Sequence, residues 1–386
     1  MNQPDPALGV ILHAIGCLAS ASFYLPYRGV KGWSWESYWI VGGVFSWIIA
    51  PWAFALVQTP DLLGVLTEAP AGSLLWTYLF GVLWGIGGLT FGLTMRYLGI
   101  ALGMAMALGY CAVFGTLMPP LFRGELVEIA RTTGGAIVLF GVLTCLCGIV
   151  VSGLAGRSKE RELTVEQKQA VIREFSFGKG VLVATIAGIL SACMSYGFAA
   201  GKPIADLAVR HGAHPLWQNL PVLIVVLAGG FTTNVLWCLF LNARNRTAGD
   251  YVRPSANLGR NYLLCAVAGT VWYLQFLFYG MGTTLMGRFD FSSWTLHMAS
   301  IMIFGTVWGL ILREWKGSSP RTHALNLLGL LILVSSTVIV GYGNHRGTPE
   351  TKPGGRPTSG SESVATRIDP RNAPPAIDTP PPRTLP

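Results

Sequence analysis

Apolar residues along this chain come in long unalternated runs of about twenty residues, separated by short polar connectors. A run of that length matches the hydrocarbon core of a bilayer, about 30 Å thick, when it is wound as a helix. Unalternated runs do not fit barrel strands, and in lipid each span must satisfy its own backbone N–H and C=O groups, so the pattern predicts an all-α membrane protein. The expected spans are 8–24, 37–57, 74–95, a fourth ending at Pro119-Pro120, 134–154, 180–200, 216–241, 262–281, 291–313 and 324–342. The first is short enough to suggest a signal peptide. However, Asp5 precedes it without Lys or Arg, and Arg28 and Lys31 follow it, which is the arrangement of a retained helix.

The runs fall into two sets of five. This predicts residues 1–156 as a first five-helix repeat, 157–179 as a cytoplasmic linker, 180–343 as a second repeat and 344–386 as a disordered tail rich in Pro, Gly, Ser and Thr. Faint echoes link the halves: Gly16 and Tyr24 with Gly188 and Tyr196, and Trp84, Gly92 and Gly99 with Trp272, Gly280 and Gly287. Five spans per half is odd, so the halves must insert with opposite topology, an inverted repeat that places a binding site near the midplane. Lys and Arg favour the connectors after the odd-numbered spans, Arg157, Lys159, Arg161, Arg244, Arg246, Arg313 and Lys316 among them, which puts both termini in the periplasm. In the third span Gly81, Gly85, Gly88 and Gly92 form a stripe on which another helix can pack closely.

Composition agrees, with 52% hydrophobic and 12% charged residues, against about 25% charged in a soluble domain. The net charge of +9 lies in loops and tail, so it describes topology and gives no sign of nucleic-acid binding. All 7 cysteines lie within spans and none forms a C-x-x-C pair, so neither a zinc site nor a disulfide framework is indicated. No H-E-x-x-H helix or G-x-S-x-G elbow occurs, so an enzyme is not expected, and no cofactor is implied.

Polar groups set into apolar spans are the candidates for function. Trp272, Gln275 and Tyr279 share one helical face, as do Asp290, Ser293, Trp294 and His297, and as do His13, Gly16, Ser20 and Tyr24. Donors and acceptors beside aromatic faces suit a small sugar, whose ring offers hydroxyls and C–H surfaces together. The expected solute-binding residues are His13, Tyr24, Trp84, Trp272, Gln275 and Trp294. Asp290 and His297 are expected to carry a coupling proton, with His13 and Glu36 as further candidates; the alternative role for Asp290 is an ion pair with Arg288.

Several blocks add a resemblance. His13-Ala14-Ile15-Gly16, Phe23-Tyr24-Leu25-Pro26, Lys31-Gly32-Trp33-Ser34-Trp35-Glu36, Gly92 to Gly99, Gly115-Thr116-Leu117-Met118, Trp272 to Phe276 and Ser293 to Met298 resemble the bacterial L-rhamnose/proton symporters, over nearly all of residues 8–343. That family belongs to the drug/metabolite transporter superfamily, and the resemblance implies ten transmembrane helices in two inverted repeats. It also implies import of L-rhamnose or a related deoxyhexose with a proton across the bacterial inner membrane. Where it leads one to expect two asparagines in span three, this chain has Gly88 and Thr90, which leaves the exact sugar open. An exporter of a small metabolite and a membrane sugar sensor that does not transport are the alternatives. The oligomeric state has no signature in the sequence.

Overall fold

The structure, a computed structural model, describes residues 4–98, 100–162, 176–253, 257–313 and 315–347. Most of the expected linker and nearly all of the tail, as well as Gly99, lie outside these residues. Among the described residues there are 10 helices long and apolar enough to cross a membrane. They are α1 (Pro6–Tyr27), α2 (Trp35–Gln58), α3 (Ala71–Met95), α4 (Gly103–Phe122), α5 (Thr133–Glu162), α6 (Gly178–Arg210), α7 (Pro215–Asn245), α8 (Leu258–Thr283), α9 (Gly287–Ile311) and α10 (Pro320–Gly347).

Local chemistry sets several boundaries. Asp5 caps α1 by accepting a bond from the Leu8 N–H at 3.1 Å, with Pro6 at the first helical position. Asn257 does the same for α8 through the Arg260 N–H at 3.2 Å. In α2 a widened π-helical turn, Phe45–Ile49, precedes Pro51, whose ring would otherwise press on the preceding turn. Two expectations are corrected. Helix α5 continues unbroken through Arg157 and Lys159 to Glu162, and α4 runs through Pro119-Pro120 to Phe122.

The persistence of α4 past its prolines has a visible cause. Pro119 has no N–H for the Gly115 carbonyl. That carbonyl instead accepts from the Ser195 hydroxyl of α6 at 2.9 Å, while the Phe114 carbonyl accepts from the Tyr196 hydroxyl at 2.8 Å. A neighbouring helix thus supplies donors to carbonyls of the last turns, as a backbone group inside a membrane requires.

The packing pairs exchange between halves. Helix α1 packs on α8 and α6 on α3; α1 also packs on α9 and α6 on α4; α5 and α10 pack on each other. Glycine makes the closest of these approaches: a Cβ at Gly134 would meet the Gly343 carbonyl and Gly347, and one at Gly329 would meet Ser152. The stripe on α3 is not one contact. Gly81 and Gly85 abut Val226 and Gly230 of α7, Gly87 abuts Leu190 and Ser191 of α6, and Gly88 has open space before it.

Candidate functional site

The site is built where α4, α6, α8 and α9 end or begin. Gly201 and Pro203 interrupt α6, and the remainder, Lys202–Arg210, forms a separate amphipathic helix. At the other junction Gly287 takes a left-handed φ of 63°, and α9 then opens with a 3-10 turn, Gly287–Ser292, before regular helix resumes at Ser293. These two breaks frame a cavity of about 250 Å³.

Its polar wall carries Arg123, Lys202, Asp206, Gln218, Thr283 and Asp290, and its apolar wall carries Phe198, Tyr279, Phe291 and Trp294. Gly115 and Pro119 complete the α4 side. Gly115 is required there, because a Cβ would strike the Trp294 ring, whose indole N–H donates to the Cys111 carbonyl at 3.1 Å. That bond fixes the ring plane along the cavity. Asn219 is held by its own bonds, its amide donating to the Gly280 carbonyl at 2.8 Å and lying 3.2 Å from the Thr283 hydroxyl.

Behind the cavity lies a buried layer organised on Tyr279. Its ring meets His13 at 5.3 Å, Trp294 at 5.6 Å, His297 at 5.1 Å and Phe198 at 5.0 Å between centroids. His297 Nδ1 lies 3.1 Å from Cys17 Sγ. Both nitrogens of His13 are buried without a protein partner, an arrangement that leaves this imidazole without fixed donor and acceptor roles. Phe276 connects this layer to a deeper one: it meets His297 at 5.9 Å, and Trp84 and Trp272 at 5.6 and 5.2 Å.

The expected residues therefore separate by depth. Trp294 and Asp290 line the cavity. His297 and His13 are one layer behind it, through Tyr279. Trp84 and Trp272, both partly buried, pack on Phe276 away from the cavity, and Gln275 is buried on α8 one turn from Tyr279. Tyr24 is not brought to this group. It is 50% exposed and sits in an outer aromatic cluster, 4.3 Å from Phe23 and 6.4 Å from Trp39. Thr90 bonds carbonyls of its own helix, Ile86 and Gly87, each at 3.0 Å.

Two electrostatic expectations change. Arg288 pairs with Glu128 and not with Asp290, which is exposed toward the cavity. From the 3-10 turn Asp290 faces the cavity together with Trp294, while the imidazole of His297 is buried behind them. Glu36 belongs elsewhere. It accepts from Asn245 at 3.0 Å and Thr247 at 2.9 Å at the far end of α7 from Gln218 and Asn219, some ~39 Å along the 26-residue helix Leu220–Asn245. Sequence reasoning missed Arg123, Lys202, Asp206 and Gln218: the first three read as connector, and Gln218 as the edge of the span 216–241. The signal for two of them was the amphipathic pattern after Gly201 and Pro203.

Comparison with known proteins follows the same lines. The family profile described as L-rhamnose-proton symport protein matches residues 3–346. The chain is 38% identical over 340 residues to an L-rhamnose-proton symporter of Klebsiella pneumoniae, covering 87% of this chain and 97% of that protein. It is 37% identical to the L-rhamnose-proton symporters of Cronobacter sakazakii and Shigella flexneri, with the same coverage of both chains.

Proposed function

The chain belongs to the L-rhamnose-proton symport protein family, and we propose that the cavity between α4, α6, α8 and α9 is where it binds its sugar. It is a multi-pass protein of the bacterial inner membrane and a secondary active transporter, importing L-rhamnose or a related deoxyhexose together with a proton. It is not an enzyme, and the proton is its coupling ion.

The observation that carries the site is the lining itself: the Trp294 and Tyr279 rings on one side, and Asp206, Asp290, Lys202 and Arg123 on the other. Sugar hydroxyls need donors and acceptors, and the C–H face of the ring needs an apolar plane. A volume of about 250 Å³ is just below the ~300 to 1,000 Å³ of drug-sized ligand pockets, as suits a solute the size of a monosaccharide. Two carboxylates, Asp206 and Asp290, share this cavity with Trp294 and Tyr279; Asp290 is the proposed proton carrier because it stands on α9, the helix that carries Trp294 and His297. His297 and His13, packed on the far side of Tyr279, are the groups through which a proton could continue. Trp84, Trp272 and Gln275 act from behind, by fixing the layer that supports His297.

The cavity is bounded by the segments after α4, α6 and α8, the same side that the Lys/Arg asymmetry assigns to the periplasm together with both termini. We therefore take this arrangement as the outward-accessible one. Counterflow in proteoliposomes tests the reading: vesicles loaded with unlabelled L-rhamnose should take up labelled L-rhamnose transiently, and Trp294→Ala should raise the KM at least about tenfold by removing the apolar face. Counterflow by no deoxyhexose, or an unchanged KM in Trp294→Ala, would refute the substrate and the site respectively.

A further inference from the structure

The helix Lys202–Arg210 has two faces. Lys202, Ala205 and Asp206 line the cavity, while Ile204, Leu207 and Ala208 are buried with Val65 and Ala69 of the connector between α2 and α3. The helix ends in a Schellman motif: the Gly212 N–H donates to the Val209 carbonyl at 3.0 Å and the Ala213 N–H to the Ala208 carbonyl at 3.0 Å, with Gly212 at φ 91°. This closure fixes the direction of the capping residue, His211.

His211 bridges two carboxylates. Its Nδ1 lies 2.9 Å from Asp61 Oδ2 and its Nε2 lies 3.1 Å from Glu68 Oε2. Both contacts are hydrogen bonds only when both ring nitrogens carry protons. A neutral imidazole must turn one lone pair toward an anionic oxygen. The bridge therefore requires the imidazolium, whatever the value at which it titrates.

We propose that His211 is a positioning residue for sugar binding, whose protonated ring latches the helix Lys202–Arg210 to the Asp61–Glu68 connector and so holds Lys202 and Asp206 in the cavity wall. The proposal rests on the cavity being the sugar site. The carboxylates of Asp61 and Glu68 hold the imidazole above its ordinary range, the hydrogen bond to Asp61 contributing most. Its contribution is thus present below the unfolded value of about 6.5 and is lost as pH rises through the folded one. Facing ionisable groups are Asp61 and Glu68; on its own segment Arg210 is adjacent and Asp206 points into the cavity, while α3 and α7 present Leu74 and Val222 to this helix. Asp61 is itself fixed, taking a left-handed φ of 51° and accepting from the Gly64 N–H at 3.2 Å. On the periplasmic side, the acid that drives uptake also closes the latch.

The test is counterflow with equal pH inside and out, so that no gradient contributes, between about pH 5.5 and pH 8.5. The wild-type KM should rise at least about fivefold across this range, the lower end of usual coupling, with the maximal exchange rate unchanged. His211→Gln should show a raised KM at pH 5.5 and a smaller pH response than the wild type, what remains being that of the coupled proton; a mutant that retains the wild-type profile overturns the latch. Where His211→Gln folds poorly, Glu68→Ala removes one of the two bonds and should raise the KM at pH 5.5, and an unchanged KM there also overturns it. Hydrogen exchange of the Lys202–Arg210 amides in the purified full-length protein, corrected for intrinsic rate, separates this proposal from the transport reading. Protection should fall with rising pH in the wild type and be low at every pH in His211→Gln. Absent sugar exchange with this protection pattern intact would sink the transport reading alone, and equal protection in both proteins would sink the latch alone.

Discussion

Trp84 of α3 and Trp272 of α8 meet with ring centroids 5.7 Å apart and planes inclined at 42°. Each stands three residues after a glycine that abuts a neighbouring backbone: Gly81 against Val226 of α7, and Gly269 against Gly42 of α2. Helices α3 and α8, and likewise α2 and α7, occupy matching places in the two halves. The tryptophan pair thus joins the third span of the first set of five to the third span of the second.

Both rings are partly buried, so truncating either tryptophan should cost about 1–3 kcal/mol in stability. The double mutant should cost less than the sum, because each single change already removes the shared contact. Thermal melting in detergent measures both. Strictly additive losses would mean the rings do not support each other.

The glycines of α3 should differ in tolerance. Gly81→Ala forces a Cβ into the Val226 carbonyl and should lower folded yield, whereas Gly88→Ala meets nothing within 4 Å and should be made normally. Size-exclusion profiles of the two mutants compare them directly, and equal behaviour would contradict the packing described.

Asp250 should confer a pH-dependent share of stability. Burial pushes its carboxyl up, but the Ser34 N–H at 2.8 Å and the Ser37 hydroxyl at 2.9 Å donate to it and more than offset this, so its pKa lies below the ordinary value. A depressed carboxylate stabilises above its unfolded pKa of about 3.9 and loses that contribution as pH falls through the folded value. Asp250→Asn should thus cost about 1–3 kcal/mol at pH 7, and the gap from wild type should close below about pH 4. A constant gap in melting temperature across that range would count against it.

The fold was legible because twenty-residue apolar runs leave the backbone one solution. Trp294 was legible as an amphipathic group inside such a run, and Asp290 as a polar group at its edge. Lys202 and Asp206 were not, since a charged pair after an apolar run reads as a connector, and only the folded chain turns that helix back along the cavity. Nor does the sequence reveal that α9 begins with a 3-10 turn, Gly287–Ser292, from which Asp290 joins Trp294 in the cavity wall while His297 is buried behind it. Trp84 and Trp272 share a composition with sugar-site tryptophans, and only the folded chain shows that the cavity takes Trp294 and leaves these two, partly buried, against Phe276. The bond between the Gly115 carbonyl and Ser195 depends on two spans far apart in the chain, and no local pattern announces it.

The central claim is that Asp290, facing the cavity that binds sugar, carries the coupled proton. The most direct measurement compares Asp290→Asn with wild type in the same proteoliposomes, by L-rhamnose counterflow and by accumulation under an imposed pH gradient, inside alkaline. The substitution preserves shape and removes the titration, so a carrier that still alternates with sugar bound should keep exchange and lose uphill accumulation. Accumulation at the wild-type level in Asp290→Asn would contradict the assignment and move the proton to His297 or His13.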